Sequence, residues 1–390
     1  MKRGLQGTLR VQQTSPEHFS AFIPSPLPPS PTLLRSPALD IALSKADQML
    51  GRLDGISRIL PSIELLIYFY TRKEAVLSSQ IEGTQTTFSE YLLFEMDVQS
   101  ASNPDDIEEV SNYVAAMVHG LQRMRENFPL SLRLIREIHG VLLRSGRGSE
   151  KTPGEFRTQQ NWVGGTRPGN AKYVPPPVWE MTQSLHDFEI FMHKSSTEYP
   201  VLIQAALLHA QFETIHPFQD GNGRLGRLLV TLLLVERGVL LQPLLYISLY
   251  LKHQRDAYFD HLQKVRMEGI WEEWVEFFLL GVVRTAERAV QLAHDMLAMF
   301  EQHESKIQSS GQQRGSVLQV FQQLKRFPYL SAARASELTG LSLPTALSAL
   351  QKIESLGLLR EITNKQRKKI YMYESYLNLM NEGTDLPDSG

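Results

Sequence analysis

At 390 residues the chain is longer than a typical single domain and sets an expectation of two or three, each able to bury its own core. Hydrophobic residues make up 42% and charged residues 21%, which excludes a disordered or fibrous class, and the formal charge of −2 gives no global attraction to nucleic acid or acidic membrane. Cysteine is absent, so disulfides and thiolate metal sites are excluded. No stretch has the uninterrupted apolar length of a membrane helix, and the first residues, MKRGLQGTLRVQQTSPEHF, lack an apolar signal core, so a cytoplasmic protein with no membrane partner is expected.

Taken in chain order, residues 23–38, IPSPLPPSPTLLRSPA, are rich in Pro and Ser and read as an extended surface strap. Apolar residues then recur at three- and four-residue spacing over about 39–60 and 62–82, as in Ile63, Leu66, Ile67, Tyr70, Val76 and Leu77, which predicts two helices. Further helices are predicted at roughly 88–97, 105–126, 130–144, 178–194, 198–215, 224–237, 251–268 and 271–302, making the bulk of the chain all-α. Between 152 and 177, TPGEFRTQQNWVGGTRPGNAKYVPPP, Gly-Gly, Pro-Gly and a Pro run punctuate two short extended pieces, the mark of a hairpin or ordered loop. After a polar connector at 303–314 come helices at 315–326, 332–339 and 343–356, then LLREITNKQRKKIYMY, read as two strands around a basic turn. Three helices and a terminal hairpin describe a winged helix-turn-helix. The expected organisation is an N-terminal helical region (1–100), a core (101–300), the winged helix (315–375) and a disordered tail (381–390).

The stretch HAQFETIHPFQDGNGRLGRLLVTLLLVERG, positions 209–238, concentrates the chemistry. The helix of 198–215 ends at His216-Pro217, because proline disfavours α geometry in the residue before it, and a new amphipathic pattern begins near Arg224. The loop from Gln219 to Gly223 therefore sits at a helix amino terminus, where Gly221 and Gly223 permit backbone N–H groups to turn to one side and bind an anion. Arg224 and Arg227 share one face, and Leu225, Leu228, Leu229, Leu232 and Leu233 occupy the other, an arrangement that suits a polyphosphate. Asp220 adds the hard oxygen ligand that Mg²⁺ prefers, and His216 is the natural general base. Each residue alone is ordinary turn or packing chemistry; base, acid, anion nest and two arginines within twelve residues point to phosphate handling.

His216 to Arg227, HPFQDGNGRLGR, resembles the Fic family signature His-Pro-Phe-x-(Asp/Glu)-Gly-Asn-Gly-Arg-x-x-Arg at all nine specified positions. TPGEFRTQQNWVGG (152–165) is similar to the family's segment leading into its flap, and the resemblance covers roughly 30–290 in outline. It implies a helical Fic core with a short β-hairpin flap, and transfer of AMP from ATP to a Ser, Thr or Tyr hydroxyl of a target protein or of the chain itself. His216 would take the hydroxyl proton, and Asp220 would hold Mg²⁺ between the α- and β-phosphates. Asn222 and the N–H groups of Gly221, Gly223, Leu225 and Gly226 would contact phosphate, and Arg224 and Arg227 would neutralise the outgoing pyrophosphate. Gly223 stands where the Doc branch has Lys, which favours nucleotidyl over phosphoryl transfer. The flap, about 161–174 with Trp162, Val163, Gly164 and Gly165, would pin the target backbone by strand addition. Tyr258 is a candidate for the adenine side, with a core aromatic as the competing reading.

LSSQIEGTQ, positions 77–85, carries Ser78 and Glu82 four apart on one helix face, with Gly83 as a residue that stops the helix. This Ser-x-x-x-Glu-Gly resembles the family's inhibitory motif, which implies that Glu82 pairs with Arg227 and keeps it from the γ-phosphate. At the carboxyl end, 315–373 holds nine Lys or Arg against three Glu, with NKQRKK at the expected wing. Its third helix, LPTALSALQKIESLG, read as the recognition helix, has little beyond Ser348, Gln351 and Lys352 to read bases, so DNA binding, protein docking and dimerisation stay open. A homodimer is compatible with the apolar helices flanking the core. Two other functions compete with AMP transfer: a DNA-binding regulator using the core as a nucleotide sensor, and transfer of another group, UMP or phosphocholine.

Overall fold

The structure is a computed structural model that describes residues 1–14, 17–59, 63–95, 103–194, 197–310, 314–363 and 368–382. The chain forms two compact units, one of Met1–Gly55, Tyr70–Thr86 and Asn103–Glu287, the other of Ile56–Phe69, Thr87–Ser102 and Arg288–Gly390. The fold is mostly helical, and among the described residues no helix is long and apolar enough to cross a membrane.

The first unit opens with a feature the sequence did not announce: an antiparallel hairpin of β1 (Gly7–Thr14) and β2 (Glu17–Pro24), paired from Gly7↔Pro24 to Thr14↔Glu17. Polar residues break the alternation of GTLRVQQT, so periodicity alone does not mark it. The Pro-rich stretch after it has no regular secondary structure until α1 (Pro37–Ile59), as its composition predicts. In chain order then follow α2 (Ile63–Ile81), whose residues from Tyr70 onward belong to this unit, α3 (Phe88–Glu95), which belongs to the second, and α4 (Pro104–Arg125), α5 (Leu132–Leu142), α6 (Val178–Met192), α7 (Val201–Ile215) and α8 (Asn222–Glu236). Side-chain caps start three of these: Thr87 accepts from Glu90 N–H before α3, Asn103 accepts from Asp105 N–H ahead of Pro104, and Ser131 accepts from Leu134 N–H. The single helix expected at 251–268 is instead α9 (Ser248–His253) and α10 (Arg255–Glu268), broken at Gln254.

The centre of this unit is the α7–α8 hairpin. Every residue of α7 from Leu202 to Ile215 is buried, and so is nearly all of α8 from Asn222 to Leu234. Helices apolar all round must be surrounded, and α4, α5, α6 and α10 pack about them. Gly120 on α4 makes the α4–α8 approach possible, since a Cβ there would lie 2.8 Å from Leu232.

α11 (Trp271–Gln308) is longer than expected and takes in the first residues of the segment read as a connector from 303. The second unit contains its residues from Arg288 onward, then α12 (Arg314–Arg326), β3 (Tyr329–Ser331), α13 (Ala332–Thr339), α14 (Leu343–Ser355), β4 (Arg360–Glu361), β5 (Ile370–Met372) and α15 (Glu374–Asn381). The sheet is antiparallel in the order β3-β5-β4, so the two expected strands gain a third that precedes α13. Phe69, Phe300, Phe321, Tyr373 and Tyr376 form its aromatic core, with ring centroids 5.1 Å apart for Phe300–Tyr376 and 5.3 Å for Phe69–Tyr376. Four residues of the basic turn, 364–367, and the expected tail from 383 lie outside the described residues.

One ion pair locks the amino-terminal segment of the first unit. Glu272, in the first turn of α11, accepts from Arg3 Nη1 at 2.8 Å and from the Leu34 N–H at 2.9 Å. Burial would raise the Glu272 carboxyl, but these donors hold it down at about 2. Its stabilisation is therefore complete above the ordinary carboxylate pKa and is lost as pH falls from about 4.5 toward 2. Glu272→Ala should cost about 3 kcal/mol by stranding a fully buried Arg3, and denaturant unfolding at pH 7 compared with pH 3 checks both size and sign.

Candidate active site

The turn between α7 and α8 is built from backbone geometry that few residues tolerate. His216 caps α7 in the left-handed region at φ 49°, ψ 60°, and Pro217 prevents the helix from continuing. Gly221, at φ 76°, is the residue before α8. Between them Phe218 is fully buried and stacks on His139 of α5 with ring centroids 3.7 Å apart. His139 Nδ1 accepts the Gly154 N–H at 2.9 Å, which fixes the other ring nitrogen as the donor to the Asp220 carbonyl at 3.0 Å. The loop is thereby held from α5 and from the segment that leads into the flap.

Asn222 braces the loop from within. Its Oδ1 accepts the Phe218 N–H at 2.9 Å and its Nδ2 donates to the Phe218 carbonyl at 2.8 Å. These bonds close the loop and leave the second N–H of the amide outside them. Asp220 is partly exposed, and its Oδ1 accepts the Gly221 N–H at 2.6 Å. Among the described residues no group of three or more His, Cys, Asp or Glu could enclose a metal. A single partly exposed carboxylate fits Mg²⁺, which takes its other ligands from phosphate and water.

The two signature arginines are both 1% exposed and both already face carboxylates. Arg227 donates to Glu82 Oε1 at 2.7 Å, to Ser78 Oγ at 2.8 Å and to the Ser78 carbonyl at 2.9 Å. Glu82 follows the last turn of α2, with Gly83 at φ 105° turning the chain away. Burial raises the Glu82 carboxyl, but Arg227 and Arg224 outweigh it and hold it below its ordinary value. Glu82 also fills the space over Gly223, where an added Cβ would lie 2.2 Å from Oε1. A carboxylate thus occupies the start of α8, where the helix dipole and the first-turn N–H groups favour an anion.

Arg224 finds a partner that the motif did not name. Glu109 of α4, itself buried, stands 3.1 Å from Arg224 Nη1 and 2.9 Å from Arg147 Nη2. Burial raises the Glu109 carboxyl, with Arg224 and Arg147 opposing. Arg224 Nε and Nη1 have no well-formed hydrogen bond, which leaves donor capacity at the site. The signal for Glu109 was in the sequence: it interrupts the apolar stripe of Ile107, Val110, Tyr113 and Met117.

His216 is partly exposed, and its pKa is pushed down to about 4, first by burial and then by the guanidinium groups of Arg157 and Arg266. It is therefore neutral and able to accept a proton throughout the physiological range. Between pH 6.5 and 4 the unfolded chain binds a proton that the folded His216 refuses, so this residue costs stability as pH falls through that window. Tyr258 is fully buried, its hydroxyl 2.9 Å from His209 Nε2 beside Trp274. There it packs as a core aromatic.

The flap region is an ordered loop with one antiparallel bridge, Val163↔Tyr173, rather than two full strands. Val163 donates to the Tyr173 carbonyl at 2.8 Å, Gly164 and Gly165 turn the chain at φ 68° and 72°, and Trp162 is 38% exposed. Its outgoing arm is rooted in the core: the Tyr173 hydroxyl donates to the Thr214 carbonyl, and β2 joins it through Phe22 N–H to Val174 O at 2.9 Å.

Comparisons with known proteins bear on the sequence and the fold. Residues 129–234 match the Fic/DOC family, and residues 41–122 match the Fic/DOC family N-terminal region. Among curated proteins, the chain is 32% identical over 185 residues to the protein adenylyltransferase Fic of Aedes aegypti, covering 47% of this chain and 34% of that one. It is 30% identical over 231 residues to the protein adenylyltransferase Fic of Drosophila yakuba, covering 56% of this chain and 43% of that one. The matches thus span less than half the length of these relatives. Among solved structures, a Fic family protein from Desulfovibrio desulfuricans G20 shares the fold at TM-score 0.58 and 19% identity, over 87% of this chain and 97% of that one. A Fic domain containing signaling protein from Bacteroides thetaiotaomicron matches at TM-score 0.50 and 20% identity, over 64% and 95%.

The loop bracing is open to direct measurement. Asn222→Ala should leave the buried Phe218 N–H unpaired, at about 1–3 kcal/mol, and hydrogen exchange should show the Phe218 amide opening faster while α5 amides are unchanged. With the signature loop and the helical fold in place, residues 41–122 carry the Fic/DOC family N-terminal region and residues 129–234 the Fic/DOC family region itself, in that order.

Proposed function

We propose that the protein is an adenylyltransferase that moves AMP from ATP to a Ser, Thr or Tyr hydroxyl of a target protein and of itself, restrained in cis by Glu82. The observation that carries this reading is the 2.7 Å contact between Glu82 and Arg227 at the anion-binding start of α8. A site shaped for polyphosphate and stoppered by its own carboxylate has both the chemistry and the means to hold it back.

In this reading His216 removes the proton of the attacking hydroxyl, whose oxygen bonds to the α-phosphorus as the bond to the bridging oxygen of the β-phosphate breaks. Pyrophosphate leaves with the displaced electron pair. The first-turn N–H groups of α8 stabilise charge on the transferred phosphate, and Arg224 and Arg227 take the charge of the leaving group once their carboxylate partners are displaced. Mg²⁺ held by Asp220 would neutralise phosphate oxygens and orient the triphosphate. The exposed Val163 arm of the flap would hold the target backbone by strand addition, which demands little of the target's side chains.

In the second unit, α12 to β5 is read as a winged helix-turn-helix. The exposed start of α14 presents Leu343, Pro344 and Thr345, with Leu343 53% exposed, and this apolar face favours docking to protein over reading of base edges.

Mass spectrometry after incubation with Mg²⁺ and ATP tests the central reading. Glu82→Gly should gain the mass of AMP at least about tenfold faster than wild type, and His216→Ala should gain none in either background. Equal rates for wild type and Glu82→Gly would remove the restraint, and transfer surviving His216→Ala would remove the assigned base. Addition of UMP or phosphocholine from UTP or CDP-choline, in place of AMP, would keep the site and change the donor.

A further inference from the structure

Arg157, in the segment between α5 and the flap, is 1% exposed, yet among the described residues it forms no ion pair with a carboxylate. A buried guanidinium without a counter-charge is costly, several kcal/mol by the usual desolvation argument, unless its donors are spent well. Here they go to backbone carbonyls. Nε donates to the His216 carbonyl at 3.0 Å, Nη1 to the Gln159 carbonyl at 3.2 Å, and Nη2 to the Pro176 carbonyl. Its own N–H donates to the Pro217 carbonyl at 2.9 Å. Asn161 adds a second set, with Nδ2 to the Phe218 carbonyl at 2.8 Å and to the His216 carbonyl at 3.4 Å.

These contacts meet at the one residue of the loop that is strained. A non-glycine residue in the left-handed region costs about 1–2 kcal/mol and persists only where its surroundings over-determine it. The His216 N–H is taken by the Phe212 carbonyl at 2.9 Å, and its carbonyl is taken by Arg157 and Asn161. Pro176 closes the outgoing arm of the flap, while Arg157 and Gln159 lie on the incoming arm, so one side chain ties both arms to the histidine.

We infer that Arg157 is a positioning residue, which holds His216 in its left-handed geometry for proton abstraction and couples that geometry to the base of the flap. The inference rests on the proposed role of His216 as general base. It is separate from the restraint by Glu82, because Arg157 touches neither Glu82 nor Arg227 and binds the chain rather than a ligand. The groups facing the imidazole are Arg157, Arg266 of α10, the backbone carbonyl of Glu213 on α7 and Glu82 after α2. Arg157 is the largest charge contribution holding the His216 pKa down, after burial. Replacing it should therefore change the titration as well as the rate.

The experiment uses the full chain carrying Glu82→Gly, with isotope-labelled histidine, and compares Arg157→Gln with Arg157→Lys. NMR titration of His216 needs no activity, and single-turnover AMP self-transfer reads the chemical step. Arg157→Gln should move the His216 pKa upward, toward its ordinary value near 6.5, and slow transfer about 100-fold, with half-saturating ATP changed less than about 3-fold. Arg157→Lys keeps the charge but cannot span three carbonyls, so it should leave the titration near that of the parent and still slow transfer at least about tenfold. If Arg157→Gln does not fold, Asn161→Ala replaces it, with transfer slowed and half-saturating ATP unchanged as the expected result. Variants that fold with the parent's rate would overturn the inference, as would a slower rate caused only by weaker ATP binding. Should the Glu82→Gly parent itself transfer nothing, the proposed function fails, and an unchanged His216 titration in Arg157→Gln then overturns the positioning role independently.

Discussion

A guanidinium is costly to bury without a counter-charge or a full set of acceptors, and in this protein the Arg227 guanidinium sets the terms for everything near it. It is 1% exposed, and burial alone would lower its pKa, yet Glu82 and Glu213 keep it charged. Three acids surround it, and they are not equivalent. Burial lifts the Glu74 and Glu213 carboxyls to about 7, whereas Glu82, partly exposed and directly bonded to Arg227, stays below its ordinary value. Glu82 is the acid that is fully ionised at neutral pH and placed at the mouth of the site. Any anion that displaces it must bring charge of its own, as a triphosphate does. The proposed restraint follows from this constraint: one cation, buried, with room for one strong partner.

The rest of the first unit exists to hold that cation and its loop in place. α7 and α8 are buried on nearly every side, so the turn between them cannot drift with solvent or neighbouring loops. The turn is closed from within by Asn222 on the Phe218 backbone and from outside by His139 and Arg157. Each brace comes from a different segment, and each spends polar groups that would be expensive to leave unpaired. Rigid backing with a partly exposed Asp220 and His216 at the surface is the division of labour expected where phosphates must be aligned within fractions of an ångström.

The all-α core was legible in the sequence because its helices repeat apolar residues at helical spacing, and the signature loop because its residue types have few other uses together. The pairing of Glu82 with Arg227 could be anticipated only through the resemblance, since 145 residues separate the two and no periodicity links them. Glu109 and His139 could be seen only as polar residues out of place on apolar faces. Arg157 left a fainter trace still, one charged residue in a segment without a period. The β1–β2 hairpin and the third strand before α13 went unread, because Gln12, Gln13, Glu17 and His18 blur the alternation of the first, and Tyr329–Ser331 is too short to show any. For Asn222 the motif located the residue, and the structure adds its two hydrogen bonds to the Phe218 backbone, which no spacing in the sequence indicates.

The central claim is that Glu82 and the nucleotide compete for the same guanidinium. A double-mutant cycle on the binding of a non-hydrolysable ATP analogue with Mg²⁺, measured by calorimetry, tests it most directly. Glu82→Gln should tighten binding about tenfold, roughly 1.4 kcal/mol, when Arg227 is present and leave it unchanged when Arg227 is Gln, giving a coupling of that size. A coupling of zero, with Glu82→Gln acting equally in both backgrounds or in neither, would contradict the account.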